Sequence, residues 1–349
     1  MTLNMTTEEL LAADQAGVLE GLRAAAKLVV VTHENPDGDA LGSLVAMQML
    51  LTELGKDSLM FIDAAELPLP YEYRFLPLEG LVSEPPSDLE ERTIVFVDCG
   101  NLERNPAEAF QRTGGSGQIL NIDHHHDNTR FGTANLVVPT ASCTAEIIWG
   151  LIHDFGVGLD LPLAEALYVA LITDTGCFMY ENTGPQAHRM AAELIQAGVD
   201  VHGIYRQVYE GVPFGKLVLL ARALSRVERY DEGRLTLTTL TAEDFAAAGA
   251  EESYSEGVID HLRTVRDTVV AALVRDRLDG AGQPEASETG DRLRKVSLRA
   301  SDGSVDVSAI ARAAGGGGHR AAAGFSTSLS WDELVSFLRE QLSAQLSAA

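Results

Sequence analysis

The stretch that decides the fold reads Lys27-Leu-Val-Val-Val-Thr-His33-Glu-Asn-Pro-Asp37-Gly-Asp39-Ala40. Its apolar, β-branched first half predicts a buried strand, and a helix-like run to Leu54 follows its polar second half. This order is typical of a βα unit, and open α/β sheets bind ligands at the carboxyl ends of their strands. One histidine and two aspartates therefore lie where such a fold carries its chemistry. The same residues also suit a surface turn with an exposed histidine, so this stretch alone leaves both interpretations open.

Three further segments end in side chains of the same kind. Predicted buried strands finish at Asp98 and at Asp123, the latter followed by three histidines, and a predicted buried helix finishes at Asp174. A single acid at the end of a strand is often only a helix N-cap. Four ends that all carry Asp or His are harder to explain by capping, because such groups are costly to gather unless a cation compensates them. The pattern indicates a metal site.

The bulk properties describe an ordinary globular protein. The chain has 349 residues, of which 46% are hydrophobic and 6% aromatic, enough for two domains with their own cores. No apolar run approaches the roughly 20 residues that cross a bilayer. The acidic N-terminus lacks the basic region of a signal peptide. Cys99, Cys143 and Cys177 lack CxxC spacing, which fits a reducing compartment and argues against a thiolate zinc site. We therefore predict a cytoplasmic protein with no membrane partner.

The charge of the chain restricts its partners. A formal net charge of −25 disfavours binding to long duplex nucleic acid, which needs many phosphate contacts from Lys and Arg. It does not exclude a small anionic substrate, because divalent metals and a few local cations override a distant negative field.

The order of the predicted elements indicates an α/β protein. Apolar runs near 28–32, 58–62, 93–98, 118–122 and 134–138 read as strands, and helical patterns lie near 5–26, 40–54, 104–113, 142–155, 163–173 and 186–197. This alternation predicts a doubly wound parallel sheet in an N-terminal domain, residues 1–199. A helical linker, 200–226, precedes a smaller C-terminal α/β domain, 227–349, in which the polar loop 279–291 is predicted to be mobile.

A glycine-rich element stands out in the second half. Four consecutive glycines, Gly315 to Gly318, are followed by His319 and Arg320. Glycine runs let the backbone approach a ligand and offer amide donors to phosphate, and His319 and Arg320 add cationic donors. The alternative is a flexible turn between a helix and a strand. The segment lacks the Lys-Ser/Thr of a P-loop.

These motifs together resemble the DHH phosphoesterase superfamily. The resemblance rests on Asp123-His124-His125 together with His33-x-x-x-Asp37-x-Asp39, Asp98 and Asp174, in this order. Gly315-Gly-Gly-Gly-His319-x-x-Ala-Ala-Gly324 is similar to the companion DHHA1 domain. Length and the segment Asp127–Gly132 are most similar to the short cytosolic group of oligoribonucleases (nanoRNases), pAp phosphatases and cyclic-di-AMP phosphodiesterases. A third consecutive histidine, His126, and the long loop 279–291 depart from the family pattern.

The resemblance implies two Mn²⁺ ions, with Mg²⁺ or Co²⁺ as substitutes. The implied ligands are His33 and Asp37 for one ion, Asp39, His124 and Asp174 for the other, and Asp98 as the bridge. It also implies in-line attack on phosphorus by a hydroxide that the two metals share. Asp98 and His125 are the implied catalytic residues, and His125 contacts the scissile phosphate. Asp123 orients its neighbours, and His126 is read as a helix-start residue or as one that lies behind a ligand.

The implied substrate contacts are less specific. Arg130 either pairs with phosphate, stacks on a base, or is a solvated surface arginine. Arg299 is predicted to face the substrate from a strand of the second domain. Gly316, Gly317, Gly318 and His319 are predicted to hold the non-scissile phosphate. Metals on one domain and this anion site on the other predict a cleft that selects short substrates.

The predicted function is a Mn²⁺-dependent phosphodiesterase. Its substrates are short RNA and linear or cyclic dinucleotides such as pApA and cyclic-di-AMP, with pAp as a further substrate, and the resemblance is compatible with a homodimer. A RecJ-like single-stranded DNA exonuclease is an alternative, which the few aromatic residues and the negative charge disfavour. A pyrophosphatase would lack the glycine-histidine element, and a non-catalytic nucleotide sensor would lack at least one ligand.

Overall fold

The computed structural model describes residues 6–111, 117–280, 282–287, 290–318 and 320–348. The chain divides into two compact units, Met1–Gly211 and Val212–Ala349. This division lies inside the segment 200–226, and the predicted domain limits themselves remain predictions. Each unit contains its own sheet, five-stranded in the first and six-stranded in the second. The predicted α/β class is confirmed.

The first unit is built on a parallel sheet with the strand order β2-β1-β3-β4-β5. The strands are β1 (Lys27–Val31), β2 (Asp57–Phe61), β3 (Thr93–Val97), β4 (Ile119–Asp123) and β5 (Ala134–Val137). Because β2 and β3 lie on opposite sides of β1, the winding of the sheet reverses beside β1, where α/β folds bind ligands. The carboxyl ends of β1, β3 and β4 are therefore neighbours.

Most helices of this unit pack on one face of the sheet. The helices of the unit are α1 (Thr7–Ala24), α2 (Gly38–Glu53), α3 (Glu108–Gln111), α4 (Thr144–Phe155), α5 (Leu161–Asp174), α6 (Pro185–Gln196) and α7 (Val201–Tyr209). Val30, Val95 and Leu120 form the main core with α2, α4 and α5. Helices α2 and α5 are in close contact, because a Cβ at Gly42 would lie 2.5 Å from the Ala166 carbonyl oxygen. A Cβ on Gly38 would lie 2.3 Å from Thr173 Oγ1, so the end of α5 lies at the start of α2.

The other face of the sheet is covered by α3 and loops. Phe61, Phe96 and Phe110 form this smaller core. The predicted helix 104–113 is shorter than expected, since α3 begins only at Glu108. Pro106 explains the difference, because a residue before proline avoids helical backbone angles, and Asn105 is extended. Residues 112 and 113 lie outside the described residues.

The second unit has a mixed sheet with the order β10-β11-β9-β8-β7-β6. Its strands are β6 (Glu228–Tyr230), β7 (Leu235–Leu240), β8 (Val270–Asp276), β9 (Arg294–Ala300), β10 (Gly317–Gly318) and β11 (Ala322–Thr327), and its helices are α8 (Phe214–Ser225), α9 (Ala242–Ala248), α10 (Val258–Arg263), α11 (Val307–Ala313) and α12 (Trp331–Ala348). Val296 and Leu298 face the core that contains α11 and α12. Ala271 and Leu273 face α8 and α10.

Two predictions about loops have different outcomes. In and beside the loop 279–291, isolated bridges pair Leu278 with Pro284 and Ala286 with Arg292. Residues 281, 288 and 289 lie outside the described residues, and the mobility of the loop remains a prediction. The prediction of a helix start at His126 is wrong, because His126 lies in an exposed turn on the way to β5. Across the described ranges, no helix has both the length and the apolar character needed to traverse a bilayer.

Candidate metal centre

The centre begins where β1 and β3 end. His33 follows β1, Asp98 follows β3, and both side chains are buried, Asp98 being only 2% exposed. His33 Nε2 lies 3.4 Å from Asp98 Oδ2. His33 Nδ1 lies 2.6 Å from the carbonyl oxygen of Glu34, which can only accept, so Nδ1 carries a hydrogen and Nε2 is the ring nitrogen that faces the site. Asp98 has a positive φ of 56°, a backbone strain that is typical of functional sites.

Two aspartates at the start of α2 extend the centre. Asp37 is the N-cap of α2 and accepts hydrogen bonds from the amides of Asp39 and Ala40. The capping role and a metal role are therefore compatible at this residue. Asp39 is 1% exposed. Its Oδ2 accepts from the Thr144 amide at 2.6 Å, and its Oδ1 accepts from the Ala145 amide at 3.1 Å, so the N-terminus of α4 stabilises the carboxylate.

His124 joins the two sides of the centre. It follows β4, and its Nε2 lies 3.7 Å from Asp98 Oδ1 and 3.7 Å from Asp174 Oδ2. The same nitrogen is 4.0 Å from Asp39 Oδ2. Asp174 reaches this point because α5 ends beside the start of α2, where a Cβ on Gly38 would lie 2.3 Å from Thr173 Oγ1. Residues that are far apart in the sequence thus meet at one edge of the sheet.

The donor atoms fall into groups that could each hold a metal ion. Their members are His33, Asp37 and Asp98; Asp39, His124 and Asp174; and Asp98, His124 and His125, with the ligand atoms of each group within 4.8 Å of one another. The first two groups have the members that the family resemblance assigns to two ions, except that Asp98, the implied bridge, is a member of the first group and not of the second. Carboxylate oxygens and imidazole nitrogens without a thiolate suit Mn²⁺, Mg²⁺ or Co²⁺. The residues present therefore fit a pair of divalent cations.

The electrostatics of the centre favour a cation. Burial, together with the charges of Asp98 and Asp174, raises the pKa of Asp39 well above its usual value. Burial likewise raises the pKa of Asp174 to about 7, although His124 opposes the shift. Burial also opposes ionisation of Asp98, but the hydrogen bond and charge of His33 outweigh it and keep the pKa of Asp98 low. Carboxylates that repel one another in a buried site are a mark of functional sites.

His125 has a separate environment beside this cluster. Its Nδ1 lies 2.7 Å from Asp123 Oδ1, and Asp123 is completely buried. Asn128 donates to Asp123 Oδ2 at 2.6 Å and to Asn121 Oδ1 at 2.7 Å, which fixes the carboxylate. Burial alone would lower the pKa of His125, but the hydrogen bond to Asp123 raises it to about 9. A charged imidazole in this position can donate a hydrogen bond to an anion.

Comparisons with known proteins identify the family. The family described as "DHH family, N-terminal domain" matches residues 27–171, and the DHHA1 domain family matches residues 239–346. A bifunctional oligoribonuclease and PAP phosphatase, NrnA, from Thermus thermophilus is 33% identical in an alignment of 335 positions that covers 93% of this chain and 93% of that protein. The chain belongs to the DHH–DHHA1 family. It is therefore a phosphoesterase, a hydrolase of phosphate esters.

Solved structures of low sequence identity share the fold of this DHH–DHHA1 protein. An exopolyphosphatase-related protein from Bacteroides fragilis superposes with a TM-score of 0.84 at 23% identity, covering 100% of this chain and 99% of that one. The exonuclease RecJ bound to manganese superposes with a TM-score of 0.50 at 16% identity, covering 97% of this chain and 93% of that one. At these identities the likeness shows the fold.

Four polar residues of the first unit that sequence reasoning missed hold residues of the site in place, three of them contacting candidate ligands and the fourth contacting Asp123. Thr144 Oγ1 donates to Asp98 Oδ1 at 2.9 Å. Ser43 Oγ donates to Asp39 Oδ1 at 3.0 Å, and the Asn182 amide donates to Asp174 Oδ2 at 3.2 Å. The fourth is Asn128, which donates to Asp123 as described above. Spacing along the chain carries no signal for these contacts, because each depends on how separate elements pack.

The predicted substrate residues have mixed surroundings. Arg130 forms an ion pair with Asp14 of α1, Nη2 to Oδ2 at 2.5 Å, and would have to leave it to bind phosphate. Arg299 lies on β9 on the face opposite to the buried Val296 and Leu298, half-buried, with Nη1 donating to its neighbour's carbonyl. His319 lies outside the described residues. The roles of these side chains remain predictions.

The glycine run has a structural reason of its own. A Cβ at Gly316 would lie 2.2 Å from the Gly324 carbonyl oxygen, so the chain cannot carry a larger residue there without moving. Gly318 has a φ of 133°, which side chains rarely adopt. Gly317 has open space around it. The close approach of β10 to β11 therefore accounts for two of the three glycines, and their phosphate-binding role remains a prediction.

Proposed function

We propose that this chain is a Mn²⁺-dependent phosphodiesterase that hydrolyses short oligoribonucleotides and linear or cyclic dinucleotides, such as pApA and cyclic-di-AMP, to mononucleotides. We include pAp as a phosphatase substrate. The observation that carries the proposal is the pair of donor groups, one containing Asp98 and the other containing His124 with its Nε2 3.7 Å from Asp98 Oδ1, in a chain of the DHH–DHHA1 family. The relative from Thermus thermophilus is named an oligoribonuclease and PAP phosphatase, and the match covers 93% of its length. This name supports the substrate class.

The proposed ligand set follows from the donor groups. We assign His33 and Asp37 to one cation, Asp39, His124 and Asp174 to the other, and Asp98 to both. Asp98 belongs to both because its two oxygens face opposite ways, Oδ2 toward His33 and Oδ1 toward His124. When bound, two such cations activate a water molecule for attack on phosphorus and stabilise the attacking and leaving oxygens.

The chain's own residues position the phosphate and the ligands. His125 is held charged and correctly oriented by Asp123, so it donates a hydrogen bond to a non-bridging oxygen of the scissile phosphate. Thr144 fixes one oxygen of Asp98 and, through its amide, one oxygen of Asp39. Both carboxylates therefore have a defined orientation before any cation binds, which lowers the cost of assembling the site.

The remaining part of the substrate is assigned to the second unit. Arg299 and the backbone amides of Gly316 to Gly318, with His319, are proposed to bind a phosphate that is not cleaved. An anion site that recognises a phosphate near the end of the substrate strand would favour short substrates. The net charge of −25 further disfavours long nucleic acid.

Product analysis by chromatography tests the proposal. Metal-free protein would be supplied with Mn²⁺ and incubated separately with RNA of two to five nucleotides, pApA, cyclic-di-AMP and pAp at equal concentration, with EDTA as the control. We expect mononucleotide products from the oligonucleotides that disappear with EDTA. A long single-stranded DNA serves as the comparison for a RecJ-like activity. Faster degradation of that DNA than of short RNA, or turnover that persists in EDTA, would contradict the proposal.

A further inference from the structure

The loop that follows Asp174, residues 175–183, has an unusual backbone. Gly176, Cys177 and Phe178 are three consecutive residues with positive φ, at 53°, 56° and 68°. Side-chain-bearing residues rarely adopt this region, and such strain persists only where the surroundings enforce it. Two of the three carry side chains. The loop is therefore held in one shape by specific contacts.

Those contacts tie the loop to the metal-competent carboxylate. The Asn182 amide donates to the Asp174 carbonyl at 3.0 Å, to Asp174 Oδ2 at 3.2 Å and to the Ser142 carbonyl at 2.7 Å. Within the loop, the amides of Met179 and Tyr180 donate to the Thr175 carbonyl at 2.9 Å and 3.0 Å. The positions of residues 179 and 180 relative to Asp174 are therefore well defined.

The loop presents large apolar side chains to solvent at this place. Met179 is 82% exposed and Tyr180 is 55% exposed. Phe178, in contrast, packs on His188 with the rings nearly parallel and their centroids 5.1 Å apart. Single exposed apolar residues are common and need no special reason. Two adjacent ones on a strained loop, anchored to a candidate metal ligand, contribute little to the core, so folding alone gives no reason for them.

The ring of Tyr180 is supported from one side. An ideal Cβ placed on Gly176 would lie 2.4, 2.5 and 2.7 Å from Cζ, Cε1 and Cε2 of that ring. These are ring carbons on both sides of the phenolic carbon, and the hydroxyl oxygen is farther away, so Gly176 lies against the face of the ring and not at its tip. A side chain at residue 176 would displace the ring.

We propose that Tyr180, supported by Gly176 and flanked by Met179, is the platform on which a nucleobase next to the scissile phosphate stacks. This inference rests on the proposed function and adds a base-binding subsite to it. An aromatic face with one side supported loses little freedom when a base covers the other side. Stacking on aromatic side chains is tolerant of base identity, which suits an enzyme for short RNA of mixed sequence.

A substrate comparison tests the platform. Tyr180→Ala, Tyr180→Phe and wild type would be assayed with a diribonucleotide and with the same molecule lacking the base beside the scissile phosphate. Base stacking on one aromatic side chain corresponds to about a tenfold effect or more. We expect Tyr180→Ala to raise KM about tenfold for the complete dinucleotide, with little change in kcat and no change for the abasic one. Tyr180→Phe should behave like wild type.

Two controls separate base stacking from a general loss of activity. Tyr205→Ala removes another exposed tyrosine of the same unit, on α7 and 43% exposed, and should leave both substrates unaffected. The second control measures binding of a dinucleotide that contains 2-aminopurine, with Ca²⁺ in place of Mn²⁺ so that hydrolysis does not occur. Quenching of the 2-aminopurine fluorescence then reports stacking. If the wild-type protein hydrolysed neither substrate, the proposed function would be contradicted, and the binding measurement would still test the platform. Equal effects of Tyr180→Ala on the complete and abasic substrates, or unchanged quenching, would overturn the platform.

Discussion

Replacing Thr144 by valine should weaken the candidate metal centre without reshaping it. The Thr144 side chain is completely buried, and its hydroxyl donates to Asp98 Oδ1 at 2.9 Å. Valine has nearly the same shape and keeps the backbone amide that donates to Asp39 Oδ2. The substitution therefore removes one hydrogen bond to a carboxylate. Such a bond contributes about 1.5–3 kcal/mol, or about ten- to hundredfold in an equilibrium constant, and substitutions behind metal ligands have effects of that size.

Titration calorimetry of metal-free protein with Mn²⁺ measures the effect directly. Because Asp98 belongs to both proposed ligand sets, Thr144→Val should lower the affinity of both cation equivalents by about ten- to hundredfold. Ser43 donates only to Asp39, so Ser43→Ala should weaken one equivalent and leave the other close to wild type. Thr144→Ser retains the hydroxyl and should restore most of the affinity.

Thermal unfolding in EDTA is the accompanying control, since it reports the fold without metal. Thr144→Val should retain a cooperative transition, with a moderately lower midpoint because a buried carboxylate has lost a donor. The reasoning is refuted if Thr144→Val binds Mn²⁺ like wild type while folded, or if Thr144→Ser is as impaired as Thr144→Val. In either case the hydroxyl would not orient Asp98.

Three further outcomes are expected. Asp98→Ala should abolish hydrolysis of pApA and reduce bound Mn²⁺, measured by elemental analysis, below one ion per chain; turnover within about tenfold of wild type would contradict the bridging assignment. Gly316→Ala should lower the free energy of unfolding of the second unit by about 1–3 kcal/mol, because its Cβ would overlap a β11 carbonyl, whereas Gly317→Ala, with open space around it, should be close to neutral in the same urea titration. Burial opposes ionisation of Asp244, but hydrogen bonds from Arg226 and the Thr241 amide outweigh it and lower its pKa to about 2. Its stabilisation is thus present above its unfolded pKa of about 4 and lost as the pH falls through the folded value, so the stability gap between wild type and Asp244→Asn should narrow over that range; a constant gap would contradict the assigned pKa.

Local sequence patterns predicted much of the secondary structure of the first unit. β-branched runs predicted β1, β3 and β4, because buried parallel strands need continuous apolar residues. The helix at 104–113 was overestimated where Pro106 interrupts the pattern. In the second unit, the short elements β10, β11 and α11 had no periodic signal of their own. The pairing of β10 with β11 depends on the close approach of glycine backbones, which only the packed structure reveals.

The chemical types of the candidate ligands, and the element ends on which they lie, follow from the sequence alone, because strand and helix signals are local and the acids and histidines stand directly after them. Which of these side chains meet depends on tertiary packing. The division of the candidate ligands into two groups around Asp98 depends on the order of the parallel strands and on the contact of α2 with α5. Both are long-range pairings. The supporting hydroxyl of Thr144 and the ring of Tyr180 over Gly176 likewise come from packing, because a side chain's neighbours across space leave no regular spacing along the chain.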